Sequence, residues 1–489
     1  MGQFFNPQDL GLIAPELELM LFGMILMIAD LLVENKKWLG FISLGGIAWS
    51  GVFLYRIYNA IHNTSGYYAY GGLLTVDHLA WIFKLIFLIG AALSVLISMK
   101  YLDIEREQHG EYYALIMFAT MGMMFMAGAM DLITLYISLE TMAIATYVLV
   151  GFLRSNQRSN EAALKYFLLG AFSSGILLYG MSLLYGIAGS TRFVDIADAL
   201  NLRIQQNSND PIALMALIAV STGLFFKIAA VPFHQWTPDA YEGAPSPITG
   251  YMSVAVKAAS FVMLVRVLLI ALSPLHDYWT VILSAVAVLT MTVGNIAAMT
   301  QTNVKRLLAY SSISHAGYIL LGVIAADKSP VTGLTAIQIY MLAYTFTNIG
   351  IWALVVAMRS REIIGEQIYE MNGLGYKHPT LAILMLIFLL SLAGIPPTAG
   401  FIAKYYIFAG LIETHHNTLA VIAVLNAAVS VYYYLRIVVA MFMKESSDKT
   451  KLSLSPGILV AMSVALVFTM WIGFFPDRFI NLARELFSS

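Results

Sequence analysis

Apolar residues along the chain gather into about fourteen runs, each near the roughly 20 residues an α-helix needs to cross a bilayer. Their approximate limits are 11–33, 38–58, 74–99, 111–129, 131–153, 162–187, 211–231, 246–272, 279–300, 303–325, 331–358, 380–412, 417–442 and 453–475. Polar residues fall mostly between the runs, with the longest connections at about 59–73, 188–210, 359–379 and 443–452. The pattern predicts an all-α polytopic membrane protein of about fourteen transmembrane helices, with no stretch polar and long enough for a soluble domain. The first run is too long for a signal peptide and no small-residue cleavage site follows it, so it is expected to stay as the first spanning helix.

The basic residues of the loops set an orientation. One set of loops holds Lys36, Lys37, Lys100, Arg106, Arg154, Arg158, Lys305, Arg306, Arg359, Arg361, Lys377, Arg436, Lys444, Lys449 and Lys451; the other holds Arg56, Arg192, Arg203, Lys328, Arg478 and Arg484. Fifteen against six places the first set in the cytoplasm. Both termini are then expected on the periplasmic side, as an even helix count requires.

Two parts of the chain look alike. YISLETMAIATYVLVG (136–151) faces YSSISHAGYILLG (310–322), and YFLLGAFSS (166–174) faces YMLAYTFTN (340–348), at an offset of about 174; IAAVPFH (228–234) faces LAGIPPT (392–398) at 164. The change in offset fits a longer loop around 188–210. Helices four to eight and nine to thirteen therefore read as two copies of a five-helix unit, and an odd unit must invert between copies. The expected organisation is N-terminal helices one to three in 1–109, a first inverted repeat in 110–272, a second in 279–442, and a last helix in 443–489. Inverted repeats with Pro-interrupted helices in matching positions mark the transport site of many transporters. Pro232, Pro238, Pro245 and Pro247 interrupt one copy; Pro396 and Pro397 interrupt the other.

Composition changes the picture only by sharpening it. Of 489 residues 60% are hydrophobic and 11% charged, against roughly 25% charged in soluble domains. A formal net charge of −1 argues against a nucleic-acid partner. With no cysteine there is neither a disulfide nor a thiolate-held cluster or zinc site. No P-loop, GxGxxG fingerprint or convincing histidine pair for a metal or haem is present.

What remains is charge in oil, which costs several kcal/mol unless paired or hydrated, as an order of magnitude. Lys84, Lys165, Lys227, Lys257, Arg266 and Lys404 lie in or at the edge of apolar runs, with Asp77, Glu140, Glu16 and Glu18 as embedded acids. Lys257 and Lys404 are central in their runs. Lys227 sits one turn before Pro232, where it either takes part in a relay or snorkels to the surface. Glu140 is either a proton carrier tuned by a nearby cation or a carboxyl held by a helix–helix hydrogen bond. His234 and His315 are candidate bridges, since a neutral imidazole donates and accepts at once; each is equally readable as a packed polar residue. Lys84, Asp77, Lys165 and Arg266 read as structural pairs or interfacial anchors. A buried lysine can be loaded and unloaded, whereas an arginine stays charged. The set reads as a proton relay without redox chemistry of its own.

FKIAAVPFHQWTPDAYEGAPSP (226–247), VKRLLAYSSISHAGY (304–318) and LAGIPPTAGFIAK (392–404) carry a family resemblance that runs over nearly the whole chain. They resemble the antiporter-like membrane-arm subunits of the proton-pumping NADH:quinone oxidoreductase, respiratory complex I. Among these, Lys404 and fourteen helices suit the N type better than the M type, which has a glutamate at that place; no long C-terminal helical arm of the L type follows. The resemblance implies that Glu140, Lys227, Lys257 and Lys404 match the family's relay residues on helices five, seven, eight and twelve. It also implies a bacterial inner-membrane complex with antiporter-like M and K/J-type neighbours in the lipid bilayer. NADH, FMN, iron–sulfur clusters and quinone would be bound by partner subunits, and their redox chemistry would drive the protons. The alternative is an ion-translocating subunit of a multisubunit sodium/proton antiporter without a redox partner.

Overall fold

A backbone in lipid must satisfy its own hydrogen bonds, so each helix needs a defined start and stop. The computed structural model describes residues 7–61, 64, 66–359, 365–445, 452 and 454–485; Arg361, Lys449 and Lys451 of the orientation argument lie outside them.

The N-terminal part holds α1 (Pro7–Leu12), α2 (Ala14–Leu32), α3 (Lys37–Ile61), a hairpin of β1 (Tyr67–Ala69) and β2 (Leu74–Val76), and α4 (His78–Glu105). Then follow α5 (Gly110–Gly128), α6 (Leu132–Val150), α7 (Gln157–Ala188), α8 (Phe193–Gln206), α9 (Pro211–Ile228), α10 (Trp236–Gly243), α11 (Ser246–Tyr251) and α12 (Lys257–Arg266). The remaining helices are α13 (His276–Thr300), α14 (Val304–Lys328), α15 (Pro330–Met358), α16 (Leu374–Lys377), α17 (Pro379–Ala393), α18 (Ala399–Glu413), α19 (Asn417–Met443), α20 (Pro456–Phe474) and α21 (Pro476–Glu485). Side chains of Asp77, Asp131, Asn156, Asp210, Asn303 and Ser455 accept the first free N–H groups of α4, α6, α7, α9, α14 and α20.

Each of the fourteen apolar runs overlaps at least one helix, whereas eleven helical segments among the described residues are long and apolar enough to cross a membrane. The run 380–412 is not one helix but the pair α17 and α18, cut at 394–398. The run 211–231 stops at Ile228, and α10 begins only at Trp236. The run 74–99 starts as β2, and Asp77 both caps α4 and pairs with the buried Arg266. Lys100 and Lys305, expected in loops, are helical, and Lys305 is buried. The loop 188–210 contains α8, whose Phe193, Ile196 and Leu200 are buried.

The centre is α11–α12, α14 and α15, buried along almost their whole length; polar side chains in their middles, such as Lys257, Ser312, His315 and Gln338, face protein rather than lipid. At one end, ion pairs tie together the loops rich in Lys and Arg: Lys37–Asp103 at 3.1 Å, Arg154–Glu111 at 3.4 Å, Arg359–Glu105 at 2.8 Å and Arg306 with Asp239 and Glu242 at 2.8 and 2.9 Å. Burial works to raise the Asp239 carboxyl on α10, but Lys165 and Arg306 outweigh it and hold it below its ordinary value.

The two look-alike parts share backbone detail. The start of α6 pairs with the segment after α7, through Leu132 N–H to Thr191 O and Phe193 N–H to Met130 O. The start of α14 pairs with the segment after α15 in the same way, through Val304 N–H to Glu366 O and Ile368 N–H to Thr302 O. Both interrupted helices end on a left-handed residue, Ala229 (φ 61°) and Gly394 (φ 85°).

Candidate functional site

Three lysines stand along the middle of the protein, each put there by an irregularity in its helix. Lys227 lies in the last turn of α9, which the left-handed Ala229 closes. Its ammonium donates to the Tyr147 hydroxyl at 3.4 Å and stands 5.8 Å from the centre of that ring. Glu140 lies two turns before Tyr147 on the same helix, half-buried, and accepts from Ser174 Oγ at 2.6 Å. Glu140 and Lys227 form no ion pair within 4 Å among the described residues; Ser174 bonds the one and Tyr147 the other.

Lys257 opens α12 directly after a π-helical turn, Met252–Val256. Such turns widen the helix locally and recur at functional sites. Its ammonium donates to Ser312 O at 2.6 Å and to Ser312 Oγ at 2.5 Å, on α14. One turn further along α14, His315 meets Tyr340 OH through Nδ1 at 2.6 Å and Tyr434 OH through Nε2 at 3.1 Å. Tyr434 OH also bonds Ser311 Oγ at 2.5 Å.

Lys404 lies in α18 and donates back across the break to Ala393 O, the last carbonyl of α17, at 2.9 Å. Its ammonium stands 5.1 Å from the centre of the Tyr318 ring. Gly394 makes room for it: a Cβ there would come within 2.8 Å of Lys404 Cδ, in a backbone conformation L side chains avoid.

His234 sits in the 229–235 break, half-buried, with Nδ1 buried and unpartnered among the described residues; no hydrogen bond joins it to Lys227. The named residues thus form three clusters, Glu140–Ser174 with Tyr147–Lys227, Lys257–Ser312, and His315–Tyr340–Tyr434 with Lys404. They are not one continuous hydrogen-bonded line. The hydroxyl partners escaped the sequence reading. Their only signal is helical spacing from a named residue, seven for Glu140 and Tyr147 and three for Ser312 and His315.

The other buried cations are built differently. Arg266 grips Asp77 with two bonds of 2.7 and 2.6 Å and donates to Ala127 O. Lys84 pairs with Glu16 at 2.5 Å, and Lys305 bonds Ala244 O at 2.7 Å with Glu366 at 3.4 Å. Lys227, Lys257 and Lys404, only 6%, 3% and 4% exposed, have no carboxylate within 4 Å among the described residues.

The family model described as NADH:quinone oxidoreductase/Mrp antiporter, TM, matches residues 129–430. NADH-quinone oxidoreductase subunit N 1 of Koribacter versatilis is 52% identical over 99% of this chain and 96% of its own. Subunit N 2 of Solibacter usitatus is 49% identical over 98% of each. The chain belongs to the NADH-quinone oxidoreductase subunit N family. As a member of the subunit N family it is an antiporter-like, multi-pass membrane subunit of that oxidoreductase. Among solved structures, a chain of respiratory complex I from Thermus thermophilus matches with a TM-score of 0.80 and 31% identity over 96% of this chain and 99% of that one. A chain of the Mrp complex from Dietzia matches with a TM-score of 0.84 over 97% and 96%, at 18% identity, which is a likeness of fold.

Proposed function

We propose that this subunit moves protons through a relay of Glu140, Lys227, Lys257, His315 and Lys404, with His234 at the edge of the first break. The observation that carries the reading is the contrast between two kinds of buried cation. Arg266, Lys84 and Lys305 are matched by carboxylates, as structural charges are. Lys227, Lys257 and Lys404 are held by a phenol, a serine and carbonyl oxygens only. An uncompensated buried charge costs several kcal/mol, as an order of magnitude, and an amine can remove that cost by giving up its proton, which a guanidinium cannot.

In this reading Lys227 and Glu140 load the first repeat, and Lys257 at the centre passes the proton by way of Ser312. His315, between two tyrosine hydroxyls, hands it on toward Lys404. Both polar atoms of the Gln338 side chain are buried without partners among the described residues. Such polar positions are where ordered water bridges a path, and they support transfer across the gaps between clusters. The two repeats, upside down relative to each other, open one half-path to each side. The shared backbone pairing at α6 and α14 supports that arrangement.

The energy comes from NADH oxidation and quinone reduction in other subunits, where NADH, FMN, iron–sulfur clusters and quinone are bound. Membrane-arm subunits of the antiporter-like M type and of K/J type flank this chain in a bacterial inner membrane, with both termini periplasmic. Replacing Lys257 with Met is expected to abolish proton translocation in the assembled complex while NADH oxidation by the peripheral subunits persists. Full translocation overturns the reading.

A further inference from the structure

The first turns of α15 carry a polar residue at every third position: Ser329 at the N-cap, then Thr332, Thr335 and Gln338. Residues three apart are neighbours on a helix surface, so the four form one winding stripe. Its outer part is matched. Ser329 Oγ donates to Thr332 Oγ1 at 2.9 Å and to Glu413 Oε1 at 3.4 Å, and Thr332 donates to the same carboxylate oxygen at 3.1 Å. Glu413 is the last residue of α18 and is exposed. This end lies across α14 from Arg306 and the other loops rich in Lys and Arg.

The inner part is not matched. Thr335 and Gln338 are 1% and 0% exposed, and Thr335 Oγ1, Gln338 Oε1 and Gln338 Nε2 take no hydrogen-bond partner among the described residues. Thr345 on the same helix shows how a hydroxyl is satisfied without water, by donating back to Met341 O at 2.7 Å. Thr335 does not use that bond. Native proteins rarely leave a buried amide unbonded. The apolar span of α15 is buried throughout by helices of this chain, so neither a lipid headgroup nor a neighbouring subunit reaches Gln338. Water is the small partner that does.

We propose that Thr335 and Gln338 hold ordered water, in a narrow crevice that opens at Ser329, Thr332 and Glu413. Gln338 stands eight residues beyond Pro330, so the crevice runs about 12 Å along α15. Tyr340, the partner of His315, is two residues deeper. In the relay reading, on which this use of the water rests, the crevice carries protons between the relay and that surface. The exposed Glu413 carboxylate takes a proton from the crevice water and releases it to bulk solvent.

An electron cryomicroscopy map of the assembled complex, fine enough to show ordered water, is expected to place water within hydrogen-bond distance of Gln338 Oε1 and Nε2 and of Thr335 Oγ1. Gln338→Leu is close in volume and has nothing to hydrate. It is expected to remove that density and to cut the protons translocated per NADH oxidised by at least half, without lowering the thermal midpoint, because the amide it removes bonds no protein group. Thr335→Val, which removes the hydroxyl alone, is expected to act in the same direction. A map in which Gln338 bonds a protein atom and no water overturns the crevice, and parent coupling in Gln338→Leu overturns its use as a passage. The map is read without any transport, so it separates this proposal from the relay: parent translocation in Lys257→Arg sinks the relay and leaves the water in place. If Gln338→Leu fails to assemble, Thr335→Val and the map decide.

Discussion

Lys84 and Lys257 are both buried lysines in apolar helices, yet the structure gives them opposite surroundings: one faces Glu16, the other a serine and its carbonyl. The difference predicts different responses to the same change. Lys84→Met leaves the Glu16 carboxylate uncompensated and is expected to destabilise the subunit by about 3–5 kcal/mol. The double variant Lys84→Met/Glu16→Gln should recover most of that, as read by the thermal unfolding midpoint of the purified complex. Lys257→Met strands no carboxylate, so it should cost little stability and much transport. The named lysines and Glu140 were legible in the sequence because a charge in a run of apolar residues stands out. Tyr147, Tyr340 and Tyr434 were not, because a tyrosine in an apolar helix is ordinary and only its partner makes it polar. Asp77 read as a structural pair and pairs with Arg266, but the apolar run began before the helix did, so its second role as a cap was not legible.

At the scale of elements, the breaks at 229–235 and 394–398 place the ionisable groups. Pro232, Pro396 and Pro397 announced them, but not where the helices stop, which is set by backbone conformation at Ala229 and Gly394. Gly394→Ala is expected to cost about 1–2 kcal/mol for the left-handed backbone and to push Lys404 from its bond to Ala393 O. Transport should fall more than the melting temperature alone explains. Ala229→Gly relieves the same kind of strain and should leave stability equal or raise it by about 1 kcal/mol; a loss of stability there would show that Ala229 is held by its side-chain packing. The π-helical turn before Lys257 and the short α10 had no readable signal, while α8 escaped the sequence reading although Phe193, Ile196 and Leu200 stand at helical spacing. A π turn leaves hydrophobic periodicity almost unchanged, α10 is a short polar helix, and the apolar face of α8 is too sparse to stand out in a stretch read by hydrophobic run length alone.

For the whole molecule, the sequence pattern reached furthest, because the bilayer allows so few architectures. The all-helical, multi-pass architecture followed from hydrophobic run length, and the loop charges set an orientation that a topology measurement can check. The ion pairs among Lys37, Asp103, Arg154, Glu111, Arg306, Asp239 and Glu242 now tie those loops to one another. The absence of cysteine makes the orientation testable. Ser155→Cys, between Arg154 and Arg158, is expected to react with a membrane-impermeant maleimide only from the cytoplasm. Ser208→Cys, between α8 and α9, should react only from the periplasm; the reverse pattern would invert the topology and with it the sense of both half-paths.

The relay turns on Lys257 giving up and regaining a proton rather than serving as a fixed charge. Lys257→Arg keeps a donor opposite Ser312 and keeps the charge, but a guanidinium does not release its proton. With the complex in sealed proteoliposomes and a pH-sensitive dye inside, NADH-driven acidification should vanish in this variant while NADH oxidation continues. Acidification at the parent rate would mean that no proton needs to leave Lys257, and the relay would have to run elsewhere.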